Sequence, residues 1–151
     1  MLIEDFRKTD FERIATLPHN MPPQWGSMTL QHMIEHLADV FSASNGTLQV
    51  KVETPPDKLE KIKRIMLFSD RELVQNFKSP VLPPDPIPYR TTNMQEAITV
   101  LKQEMEKFEQ HYSTDKKRTE DHPYFGALNY DEWVIFQNKH FTHHLKQFNL
   151  L

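Results

Sequence analysis

The chain has 151 residues, a formal net charge of -3 at pH 7, no cysteine, eight histidines and three glycines. That length suits one domain with a real hydrophobic core, and the mixed charge lacks the basic footprint of a nucleic-acid partner. The absence of cysteine excludes disulfides, thiolate nucleophiles and thiolate-held metal, and three glycines without the required spacing exclude a dinucleotide or phosphate-binding loop.

Ile3, Phe6, Ile14 and Leu17 recur at helical intervals and predict a first helix from about Ile3 to Leu17. Pro18, Pro22 and Pro23 then enforce a turn. A second helix is expected over Thr29–Ser44, where Leu30, Met33, Ile34, Leu37, Val40 and Phe41 form one stripe, closed by Asn45-Gly46. Leu48, Val50 and Val52 alternate with polar residues and suggest an extended stretch. Pro55-Pro56-Asp57 resembles a helix start, with Leu59, Ile62, Ile65 and Met66 carrying the helix to about Phe68; Leu73, Val74 and Phe77 suggest another short one. Five prolines between Ser79 and Thr92 predict a stiff crossing segment. Asn93 opens a helix with Ala97, Ile98, Leu101, Met105 and Phe108 on one face. The last helix begins near Asn129, whose side chain can cap it while Glu132 returns the bond.

Four principal helices with a long connection between the second and third predict an all-α, four-helix bundle with one crossover, helices two and three running the same way. Residues 1–151 are expected to form a single domain. No apolar run is long enough to span a bilayer, and Met1 to Phe6 lack a signal-peptide core, so a cytoplasmic location is expected.

The chemistry concentrates in histidine. His140 and His144 lie four residues apart on the last helix, on the face of Trp133, Phe136, Phe148 and Leu151. Asn138, Lys139, Thr142, His143, Lys146 and Asn149 fall on the other side, which is expected to meet water. Inward imidazoles need a partner, and a divalent metal is one. On the second helix His36 sits beside Met33 and Val40 at the edge of the apolar stripe, whereas His32 turns toward Glu35 and Asp39 on the wet side. His36 is therefore the better third ligand. Three imidazoles leave coordination positions open, as catalytic sites require, and nitrogen and oxygen ligands suit zinc, nickel, iron or manganese. The plainer alternative is a pair arising by chance among eight histidines and satisfied within the core.

Rival chemistries are weaker. A di-iron carboxylate bundle needs Glu-x-x-His, and no Glu precedes a His by three positions. The nucleophile elbow of a serine hydrolase is missing. His122-Pro123-Tyr124-Phe125-Gly126 reads first as a turn anchoring the last helix; functionally, His122 or Tyr124 would line the mouth of the site. Gln147, one turn beyond His144, would orient a ligand or bond within the core. Asp39 and Glu35 are candidate bases only if turned inward. Trp25 reads as core, and His19, His111 and His143 as residues of loops or solvent-facing positions.

The segments Pro23-Gln24-Trp25-Gly26-Ser27-Met28-Thr29, Met33 to Asp39, His122 to Gly126 and His140 to Phe148 resemble the DinB/YfiT-like superfamily of metal-binding four-helix bundles, in a branch of unknown function. The resemblance spans nearly the whole chain, including the crossover. It implies one histidine on the second helix and a His-x-x-x-His pair on the fourth, which fall on His36, His140 and His144. It also implies a divalent ion, most often zinc or nickel, and relatives that include thiol-dependent transferases and isomerases and metal-dependent hydrolases, often dimeric. The expected activity is thus metal-assisted attack of water or a low-molecular-weight thiol on a small-molecule electrophile. The alternative is a non-catalytic binding or dimerisation module with a vestigial histidine cluster.

Overall fold

The computed structural model describes residues 1–76 and 85–151. The stretch expected to form the first helix is divided in two: a 3-10 turn at Phe6–Lys8, capped by Asp5, and a five-residue helix α1 (Phe11–Ala15), capped by Asp10. Two aspartates five residues apart each draw a nearby backbone N–H, which breaks a continuous ladder. Other N–H groups of the segment go to the last helix, Ile3 N donating to Thr142 Oγ1 and Phe6 N to Asn138 Oδ1.

Helix α2 (Leu30–Ser44) forms as expected, with Leu30, Met33, Ile34, Leu37 and Phe41 buried. Thr29 caps it, and the partner in the capping box is His32, whose Nδ1 lies 3.2 Å from the Thr29 N–H. Gly46, just past the Asn45 cap, has φ +79°, the left-handed conformation that ends a helix. No strand forms over Leu48–Val52; Leu48 N donates to Ser42 O in the last turn of α2 and Glu53 N to Pro123 O, so the backbone there bonds to a helix end and a turn rather than to a ladder.

The expected helix after Pro55 is present as a 3-10 turn (Pro56–Lys58), helix α3 (Leu59–Ile62) and a π-helical turn (Lys63–Leu67). Leu73 and Val74 lie outside any helix, and Phe77 lies outside the described residues, as do Pro80, Pro83 and Pro84 of the expected crossing segment. Asp85–Arg90 is neither helix nor strand.

Helix α4 (Met94–Tyr112) is capped by Asn93 and buries Ala97, Ile98, Leu101 and Phe108. Strands β1 (Glu120–His122) and β2 (Gly126–Leu128) then pair antiparallel, with His122 opposite Gly126. Helix α5 (Tyr130–Gln147) follows, with the expected Asn129–Glu132 capping box. Gln31 at the start of α2 bonds Thr91 just before α4, and Tyr112 at the end of α4 bonds Ser44 O at the end of α2. The two helices therefore run in the same direction. Helix α5 runs the other way: Gln147 O, at its end, accepts from Gln24 N ahead of α2.

The expectation of a wet face on α5 is overturned at Lys139 and Thr142, while Asn149 is exposed and Asn138, His143 and Lys146 are half-buried. Lys139 is 1% and Thr142 0% exposed, because the N-terminal segment covers Asn138 and Thr142, and Lys139 Nζ donates to the carbonyls of Ser69 and Arg71 after the π-turn. Long polar side chains can lie in the interior when their donors meet carbonyls. Leu151, expected on the buried face, is exposed, since α5 ends at Gln147 and the pattern stops with it.

Candidate metal centre

His36 on α2 meets His140 and His144 on α5. Nε2 of His140 lies 3.0 Å from Nε2 of His36 and 3.0 Å from Nε2 of His144, and candidate ligand atoms of all three lie within 4.8 Å of one another. The rings approach edge-on, with interplanar angles of 75–78°. The i, i+4 spacing on α5 stacks two rings on one face, and the opposed direction of α2 brings the third across to them.

The proton count favours a cation. Gln147 Nε2 donates to Trp25 O at 2.9 Å, which turns Gln147 Oε1 toward His144 Nδ1 at 2.7 Å. His144 therefore carries its proton on Nδ1 and presents a lone pair at Nε2. One proton on His140 Nε2 cannot point along both 3.0 Å contacts. Burial pushes the His36 imidazole down to about 4, the nearby Asp39 carboxylate partly opposing it. Burial, reinforced by the neighbouring rings, holds His140 and His144 well below the usual histidine range. Three neutral rings thus turn nitrogens toward one point, the protonation state that metal binding requires. Nitrogens about 2.0–2.1 Å from an ion stand about 3.3 Å apart in a tetrahedron and about 2.9 Å apart along an octahedral edge, and the 3.0 Å spacings fall between.

The other candidates take different places. His32 is part of the α2 cap, with Nε2 2.8 Å from Ile87 O and its ring 4.3 Å from that of Tyr89. Asp39 forms a two-pronged pair with Arg90, both contacts at 2.8 Å. Glu35, expected on the wet side, is buried; its carboxylate accepts from the backbone N–H groups of Arg90 and Thr91 and from Thr91 Oγ1. Burial alone would raise its pKa, but these hydrogen bonds outweigh it and hold the carboxyl below its usual range. Both acids are therefore engaged with Arg90 and Thr91, just ahead of α4, rather than turned to the triad.

His122 Nδ1 accepts from the N–H groups of Tyr124 and Phe125, and its ring packs on Phe136, which stacks on His140. Burial pushes His122 down to about 3. The Tyr124 carbonyl accepts from Thr54 Oγ1. Two neighbours of the site differ from their expected places: His143, expected to face solvent or lie in a loop, is half-buried with its ring 4.9 Å from that of His144, and Trp25, expected in the core, is half-buried and edge-on to His143 at 5.4 Å. Their signal was faint, because neither lies on the apolar stripe of a helix. A surface depression of about 270 Å³, lined by Leu17, His19, Gln31 and Tyr89 among others, lies near the start of α2 and includes no residue of the triad.

Among the described residues, no helix is long and apolar enough to cross a membrane. No curated protein and no solved structure matches the chain. A family model does match residues 63–150, more than half of the chain and the part that carries His140 and His144 but not His36; the chain belongs to the family described as Protein of unknown function (DUF1569).

Proposed function

We propose that this protein is a metal-dependent enzyme, built as a four-helix bundle with a long crossover of the DinB/YfiT-like type, in which His36, His140 and His144 hold a zinc- or nickel-like divalent ion. The observation that carries this reading is the convergence of three neutral imidazoles whose facing nitrogens no arrangement of their own protons satisfies. Bound there, the ion supplies Lewis acidity that makes water or a low-molecular-weight thiol a nucleophile near neutral pH, against a small-molecule electrophile.

The chain's own contribution is positional and electrostatic. Three protein ligands leave coordination positions open for reactants. Burial keeps the rings neutral and ready to bind. Gln147 holds the His144 proton on Nδ1, away from the site. Asp39 and Arg90, paired beside His36, set the local field there.

The test is metal analysis of purified protein followed by competition titration with zinc and nickel, on the wild type and on His140→Ala. One ion per chain, lost in the variant while the helical circular-dichroism signal is kept, supports the reading. No metal in the purified wild type and no uptake from either solution rejects it.

A further inference from the structure

Helix α5 carries polar atoms that the site described above does not use. Gln137 is 0% exposed, and both its Oε1 and Nε2 lack a hydrogen-bond partner among the described residues. The same holds for Nδ1 of His140 and Nε1 of Trp133. Residues 133, 137, 140 and 144 follow one another at intervals of four, three and four, so they share one face of the helix. The unpaired atoms therefore lie on the seam that carries two of the three metal-ligating histidines.

The complement of donors and acceptors is specific. Trp133 Nε1 and Gln137 Nε2 donate, Gln137 Oε1 accepts, and His140 Nδ1 carries the proton whenever His140 binds through Nε2. Helical side chains lean toward the N-terminus, and the His140 ring lies over the preceding turn, stacked on Phe136 with centroids 5.2 Å apart. Gln137 belongs to that turn. On the other ligand of this helix the equivalent need is already met: Gln147, three residues after His144, accepts from its Nδ1. Gln137 stands three residues before His140, equally buried and uncommitted.

We infer that Gln137 is the positioning residue for His140, its Oε1 accepting a hydrogen bond relayed from His140 Nδ1–H through one buried water. This rests on the metal reading above. Ligating histidines characteristically pass their second ring N–H to an outer acceptor, which fixes tautomer and orientation. A buried water needs two to four polar partners, and His140 Nδ1 and Gln137 Oε1 supply a donor and an acceptor for it.

The experiment uses the whole chain and cobalt(II), with affinity measured by competition and geometry by the visible absorption bands. Binding by the wild type is the control: its absence defeats the metal reading itself. Gln137→Leu is expected to bind about 10- to 100-fold more weakly, with shifted absorption bands. Gln137→Glu, which keeps an acceptor, is expected to stay within a few-fold of the wild type. Unchanged affinity and absorption bands in Gln137→Leu overturn the inference while leaving the metal site standing. If the leucine variant does not fold, a tenfold loss in Gln137→Glu overturns it, and retained affinity there supports it.

Discussion

Nδ1 of His144 and Oε1 of Gln147 lie 2.7 Å apart, and the same Gln147 side chain donates from Nε2 to the carbonyl of Trp25. One carboxamide thus fixes the tautomer of a metal-ligand candidate and ties the loop ahead of α2 to the end of α5. Gln147→Leu removes the acceptor while keeping the bulk. Metal affinity is expected to fall about 10- to 100-fold, read by zinc competition; an unchanged affinity would show that the contact is structural only.

Gly26 tests the same contact from the loop side. Its φ is +79°, and an added Cβ would stand 3.1 Å from Gln147 Nε2. Gly26→Ala therefore combines a left-handed backbone with a push on Gln147. A loss of about 1–2 kcal/mol is expected from the backbone, visible in urea titration, together with weaker metal binding. Equal stability would contradict the assigned conformation.

The segment that leads into α4 is held by Glu35. Four donor contacts reach this buried carboxylate from Arg90 and Thr91, besides the guanidinium Nε at 3.6 Å. Glu35→Ala leaves those donors without their acceptor, at a cost of about 2 kcal/mol and a fall in melting temperature of ~4–8 °C for a chain of this size. Protection of the Arg90 and Thr91 amides against hydrogen exchange should drop as well. Wild-type protection in the variant would refute the clamp.

Acid should weaken the metal-free protein through its buried histidines. The folded-state value of His122 is depressed to about 3 and that of His36 to about 4, from an ordinary 6.5. Between those limits the unfolded chain binds protons that the folded chain does not, so stability is full above about pH 6.5 and declines as pH falls toward 3. Each such histidine contributes a slope of up to about 1.4 kcal/mol per pH unit inside its window. Denaturation in the presence of chelator at pH 7, 6, 5 and 4 measures it. A flat profile would mean that these rings titrate normally.

Much of this molecule was readable from local pattern. The caps at Thr29, Asn93 and Asn129 and the glycine stop at Gly46 depend on residues within three or four positions of each other, and helical geometry alone put His140 and His144 on one face. The choice of His36 over His32 followed from its position beside the apolar stripe, and the structure brings His36 to the pair. The tertiary structure decided what depends on distant partners. It interrupted the first helix, whose N–H groups found Thr142 and Asn138 more than a hundred residues away. It covered Lys139 and Thr142 on the polar side of α5, gave Lys139 two carbonyls after the π-turn, and put Glu35 under Arg90 and Thr91. Periodicity records which side chains prefer to leave water; it carries no record of which remote donors and carbonyls will meet a polar side chain that leaves water with them.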